Sequence, residues 1–109
     1  NNIKIYDSLS YLDFLKLMKN SKVIFTDSGG IQEESTVLKI PCYTLRHNTE
    51  RPITILQGTN ILTKPEKGNI YATFKKNKFK ININYKLPNG WDGKASKRII
   101  NKLIEKGII

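Results

Sequence analysis

Apolar residues recur along this chain with two periods, and the switches between them divide it into short elements. Ser10 stands ahead of Tyr11, Leu12, Phe14, Leu15, Leu17 and Met18, which recur at helical spacing and predict a capped helix to about Asn20. Lys22–Thr26 holds the apolar run Val23-Ile24-Phe25, with the length and β-branched content of a buried strand. Ile31, Val37 and Leu38 mark the apolar side of a helix over Ile31–Lys39. Pro41 then opens a second strand to Leu45, a place where its missing N–H is tolerated. Pro52 suits the first turn of a short helix to about Gln57, and Thr59–Thr63 reads as a third strand. Ile3–Tyr6 alternates like a further strand ahead of all of these. Strands alternating with helices over connections of a few residues imply an α/β, Rossmann-like parallel sheet with helices on both faces.

Beyond Lys64 the pattern weakens. Asn69–Phe74 fits a short helix, with Ile70 and Phe74 on one face, and Lys80–Tyr85 alternates like an edge strand or an extended arm. Pro88-Asn89-Gly90 is a turn, and Asp92 or Gly93 begins a last helix to Lys106 with Trp91 anchoring the turn before it. Ala95, Ile99 and Leu103, flanked by Ile100 and Ile104, form a stripe on that helix.

The polar residues give the chemistry. Thr26-Asp27-Ser28-Gly29-Gly30 follows a strand and opens a helix. The first-turn N–H groups of a helix have no carbonyl partners within it and favour an anion. Two glycines let a phosphate approach the backbone, and Ser28 adds a hydroxyl donor. Glu33 and Glu34, a few residues on, can accept the two hydroxyls of a ribose. A strand–turn–helix of this composition therefore fits a nucleotide at the carboxyl end of a parallel strand. The same residues also fit plain capping, with a glycine N-cap and acids placed to suit the helix dipole. Arg51 opens a helix whose dipole disfavours it, which points to another partner, and a guanidinium can fork onto a diphosphate. Glu50 is placed to orient that guanidinium.

Three blocks in order, Thr26–Glu34, Thr49–Pro52 with Gly58-Thr59-Asn60, and Trp91–Ala95 leading to Arg98-Ile99, closely resemble the non-hydrolysing UDP-N-acetylglucosamine 2-epimerases. The resemblance is good over residues 6–64 and moderate over 90–104, with a shortened, divergent stretch between. It implies the C-terminal portion of a glycosyltransferase-B-like fold of two facing domains. Within a single unit spanning 1–109, it divides the chain into a core (1–64), a divergent connection (65–90) and a C-terminal helix (91–109).

The resemblance also implies a substrate set and a chemistry. The family interconverts UDP-GlcNAc and UDP-ManNAc by eliminating UDP and returning it to the other face, a reaction of cell-surface polysaccharide biosynthesis. By resemblance, the Leu9 backbone pairs with uracil and Phe14 packs beside it, although Phe14 also reads as a core residue. Ser28, Gly29 and Gly30 take the phosphates, Glu34 the ribose, and Arg51 the phosphate or sugar side. The acid/base groups belong to an N-terminal domain, so no catalytic residue is expected within these residues, nor any cofactor or metal. That N-terminal domain and UDP or UDP-GlcNAc are the expected partners, with a homodimer as the family's common assembly. Since the family's final helices cross onto the N-terminal domain, part of the Ile99–Ile104 stripe is expected to be exposed. His47 departs from the aspartate common at that point in the family. A fragment and a split gene fit equally. A sibling acting on another UDP-2-acetamido sugar, a hydrolysing 2-epimerase and a non-catalytic UDP-binding module also stay open.

Composition alters this little. The chain has 109 residues and a net charge of +10 from 19 Lys+Arg against 9 Asp+Glu. The lysines are scattered among Asn and Ile, without the basic and aromatic interleaving of a nucleic-acid face, so no nucleic-acid partner is expected. A positive surface does favour an anionic ligand. The single cysteine, Cys42, excludes an internal disulfide and reads as a buried thiol. No apolar run approaches the ~18 residues of a membrane span, and a cytoplasmic protein is expected.

Overall fold

A computed structural model describes residues 2–109. The elements run α1 (Tyr11–Lys19), β1 (Ile24–Thr26), α2 (Gly29–Leu38), β2 (Cys42–Leu45), α3 (Ile53–Leu56), β3 (Asn60–Thr63), α4 (Lys67–Asn77) and α5 (Ala95–Glu105). The strands form one parallel sheet in the order β1-β2-β3, with Ile24 beside Cys42 and Cys42 beside Asn60. This is the α/β class with helices on both faces that the sequence predicts. Residues in register share a face, so Phe25 and Tyr43 point one way and Cys42 and Asn60 the other.

On the first face Phe25 stacks on Tyr43 with ring centroids 4.9 Å apart, and Phe74 of α4 tilts against both at 5.6 Å. Phe79 meets Phe74 edge-on, and the Tyr43 hydroxyl donates to Lys78 O at 2.7 Å. Aromatic pairs of this kind add about 0.5–1.5 kcal/mol each beyond the area they bury. They fasten α4 to the sheet.

The second face is polar. Gln32, Ser35 and Thr36 of α2 are buried against Thr44 and Asn60, whereas Val37, expected on the apolar side of that helix, is exposed. Asn60 Nδ2 reaches Gln32 O at 3.0 Å, Ser35 Oγ at 3.2 Å and Thr36 Oγ1 at 3.3 Å. Its Oδ1 accepts from Thr44 Oγ1 at 2.8 Å. Most buried polar groups are paired in this way, although, among the described residues, Gln32 Nε2 and Thr59 Oγ1 are buried without a hydrogen-bond partner. Gly58 passes so close beneath α2 that a Cβ there would lie 2.6 Å from Thr54 O and closer still to Thr36 Oγ1. Cys42 is buried as expected, and burial pushes its thiol pKa up to about 11. The thiol therefore stays protonated at neutral pH.

Several expectations are corrected. Residues 3–6 form no strand, and Ile5 is 93% exposed. Alternation alone cannot supply a ladder, and a strand without neighbours is not stable in water. Of the six apolar positions in α1 only Met18 is buried, while Tyr11, Leu12 and Leu17 are exposed. Residues 80–85 are no edge strand either. Tyr85 N bonds Asn82 O in a turn, Asn82 Nδ2 donates to Ile55 O and Leu56 O, and Tyr85 Oη donates to Thr36 O. The alternating segment thus ties α3 to the end of α2 through its polar side chains.

At the C-terminal side, the Pro88–Gly90 turn is present, with Gly90 at φ +87°. Asp92 accepts from Lys94 N and from Arg98 Nη1, fixing the start of α5. The arginine beside it, with two backbone N–H groups, holds the Asp92 carboxyl below its usual range. Ile99, Ile100 and Ile104 are exposed along α5, in line with the sequence expectation.

Truncation of the Asn60 amide provides a test of the polar face. Asn60→Ala leaves the Thr44 hydroxyl and the α2 side chains short of a partner, and about 2–3 kcal/mol of stability is expected to be lost. Urea unfolding followed by circular dichroism reads this as a lower midpoint.

Candidate functional site

The turn between β1 and α2 is built by short-range bonds. Ser28 N donates to Thr26 Oγ1 at 3.1 Å, and Ser28 Oγ caps α2 by accepting from Ile31 N at 3.5 Å. The N-cap is thus Ser28 and neither glycine. Its hydroxyl proton is not used in that bond. Gly29 and Gly30 form the first turn, where N–H groups have no carbonyl within the helix to bond. Around Gly30 the space is open: outside its own helix backbone and chain neighbours, among the described residues, a Cβ there would have only Ser28 Oγ within 4 Å, at 3.9 Å.

Gly29 is covered by Arg51. A Cβ on Gly29 would lie 2.6 Å from Arg51 Cζ, closer still to Nη1, and 3.0 Å from Glu50 Oε1. The missing side chain is what lets the guanidinium settle over the helix start. Arg51 Nε donates to Glu33 Oε1 at 2.8 Å, and Nη1 is paired with Glu50 Oε1. The Glu33 hydrogen bond, followed by the charges of Glu33 and Glu50, raises the Arg51 pKa above its ordinary value. The Arg51 backbone is fixed as well. Arg51 N donates to Thr49 Oγ1 at 3.0 Å, and Thr49 Oγ1 donates to Gln32 Oε1 at 2.7 Å on the buried face of α2.

Glu33 and Glu34, adjacent in sequence, diverge by the 100° step of a helix. Glu33 turns to Arg51. Glu34 faces α1 across a cleft of about 290 Å³ lined also by Tyr11, Leu15, Val37, Leu38 and part of Glu33. Hydrogen bonding to the Glu34 carboxylate, and then its charge, raises the Tyr11 pKa. Leu9 lies exposed just ahead of the Ser10 cap, and Phe14 is half-buried on α1. It is Tyr11 and Leu15, rather than Leu9 or Phe14, that line the cleft facing Glu34.

The structure therefore brings Ser28, Gly29, Gly30 and Arg51 together at one turn and sets Glu34 on the α1 side of the same helix. Sequence reasoning missed the Glu33–Arg51 pair, the Thr49 and Gln32 supports, and Tyr11. The Arg-Pro helix start signalled that Arg51 needed a partner, but not which carboxylate would supply it. Beside the turn, Asp27, Leu45, Arg46, His47, Asn48 and Pro65 line a cleft of about 400 Å³. These residues follow the carboxyl ends of the three strands, where α/β sheets hold their ligands. Among the described residues, no group of three or more His, Cys, Asp or Glu is placed to hold a metal ion, and no helix is long and apolar enough to cross a membrane.

The fold and this turn define a parallel α/β unit with a Ser-capped Gly-Gly helix start at the strand ends. A sequence model of the UDP-N-acetylglucosamine 2-epimerase family matches residues 1–104, and the chain belongs to that family. It is 47% identical over 103 residues to the UDP-N-acetylglucosamine 2-epimerase of Methanocaldococcus jannaschii, covering 93% of this chain and 27% of that protein. A crystal structure of the M. jannaschii enzyme in complex with UDP-GlcNAc and UDP matches 94% of this chain and 28% of its own, at 44% identity and a TM-score of 0.82. A co-structure of S. aureus MnaA with UDP covers all of this chain and 31% of its own, with 34% identity and a TM-score of 0.86. The chain thus spans under a third of the length of the relatives it matches.

Filling the space under Arg51 tests the cover over Gly29. Gly29→Ala is expected to leave the fold intact, since alanine suits a helix, while pushing the guanidinium off the turn. In side-chain NMR the Arg51 Nε–Hε signal is then expected to move and to lose its protection from exchange.

Proposed function

We propose that this chain is the UDP-binding C-terminal portion of a UDP-N-acetylglucosamine 2-epimerase. The observation that carries this reading is the guanidinium of Arg51 seated over Gly29 at the first turn of α2. It brings a fixed cation, the Gly29 and Gly30 N–H groups and the Ser28 hydroxyl together at one turn. A diphosphate at that point meets donors from three directions. Glu34, on the α1 side, takes the ribose hydroxyls, with the uracil toward the start of α1. The sugar is directed to the cleft of Asp27, Arg46 and His47 at the strand ends.

In this reading the chain stabilises UDP as a leaving group. Charge that builds on the β-phosphate as its bond to the sugar breaks is met by donors already in place, an electrostatic contribution to the elimination and to the return of UDP. The proton transfers at the sugar fall to groups outside these 109 residues. Activity accordingly needs the polypeptide corresponding to the rest of the relatives' length. The product is then a precursor for cell-surface polysaccharide made in the cytoplasm.

The test is a UDP titration of the chain by calorimetry, with its fold checked by NMR. Saturable binding is expected, weakened about tenfold or more by Glu34→Ala and by Arg51→Ala, as for loss of a charge-assisted bond. An unchanged affinity in both variants overturns the assignment. Reconstitution with the N-terminal portion separates the sibling activities, because release of free ManNAc in place of UDP-ManNAc identifies a hydrolysing enzyme.

A further inference from the structure

The two carboxylates on Arg51 are not equivalent. Glu33 projects from the second turn of α2 and holds Nε, the inner edge of the guanidinium, at 2.8 Å. Glu50 comes from the loop ahead of α3 and pairs with Nη1, while its other oxygen lies 3.4 Å from Arg46 Nη2. Glu50 Oε1 is also 3.0 Å from the position of a Cβ on Gly29, directly against the first turn of α2. Its carboxylate is therefore bracketed by two guanidinium groups and a helix start. Those are the groups that would receive a phosphate.

We propose that Glu50 is a built-in competitor for the phosphate position, an acidic side chain that a nucleoside diphosphate displaces from Arg51 and Arg46 when it binds. The proposal rests on the reading of this turn as the UDP phosphate site. Three properties make the displacement feasible. Glu50 is 52% exposed, so its side chain has solvent to swing into, and exposed ion pairs are weak. Glu33 keeps its grip on Nε, so Arg51 stays over Gly29 as Glu50 leaves. A phosphate bears more charge than a carboxylate and has more acceptor oxygens for the same donors. Glu50 thereby keeps Arg46 and Arg51, 5 residues apart in sequence, from repelling each other at the mouth of the site. It also lowers the affinity for the product, UDP, and favours its release.

The proposal gives the two glutamates opposite signs. In UDP titrations of the chain, Glu50→Gln is expected to bind about two- to fivefold tighter than the native protein, the scale of a lost exposed ion pair. Glu33→Ala is expected to bind weaker, and Glu33→Gln, which keeps an acceptor for Nε, to recover most of the loss. A merely structural role for Glu50 would weaken binding or leave it alone. A second readout needs no variant: in the native chain carrying 13C-labelled glutamate, saturating UDP is expected to shift the Glu50 carboxylate resonance as its ion pairs break. Native binding with Glu50→Gln equal or weaker, or with an unmoved Glu50 resonance, overturns this proposal and leaves the UDP site standing. Absence of UDP binding by both the native chain and Glu50→Gln, each shown to be folded, overturns the site and the competitor with it.

Discussion

The fold depends on one side chain amide. Asn60, at the head of β3, shares its two amide N–H groups among three acceptors of α2 and accepts from Thr44 of β2. Nothing apolar could replace it, because the groups facing it are a helix carbonyl and hydroxyls that need partners once removed from water. The same network runs on to the turn at Gly29. Gln32 gives its main-chain carbonyl to Asn60 and its side-chain oxygen to Thr49, whose hydroxyl holds the backbone of Arg51. A bond in the sheet interior is thus linked through two residues to the cation over Gly29. This is how a part-exposed turn can hold one arginine in place.

Around that arginine, sign matters more than total charge. The chain carries +10, yet the turn itself gathers Glu33, Glu34 and Glu50 against Arg46 and Arg51. The acids divide the work by direction. One points to α1, one secures the inner edge of the guanidinium, and one sits on its outer edge. The long-range field of the scattered lysines and the local charge pattern at the turn are separate properties. A general excess of lysine supplies only the first.

What could be read in advance followed from periodicity and from turn chemistry. The strands at 24–26, 42–45 and 60–63 and the helix capped by Ser10 lie within predicted segments, because β-branched runs, Pro41 and a capping serine are local signals. The turn at Ser28–Gly30 was legible for the same reason, and Arg51 through its awkward position at a helix start. Contacts made at a distance were not. Gln32, Ser35 and Thr36 look like an exposed face by composition, and only their meeting with Asn60 buries them. Residues 3–6 and 80–85 alternate as strands do, but pairing depends on a neighbour that alternation does not reveal. The adjacent glutamates are equal in the sequence and are told apart only by the helix that turns one toward Arg51.

The last helix bears on what any stability measurement on this chain reports. α5 shows Ile99, Ile100 and Ile104 to water along one side, with Arg98 and Lys102 on the other. Hiding such a row against any complementary surface favours the folded form by mass action. The folding free energy is then a property of the mixture as much as of the molecule. Where a second copy covers the row, a dilute sample and a concentrated one differ, and a chain marginal alone gains stability in that company.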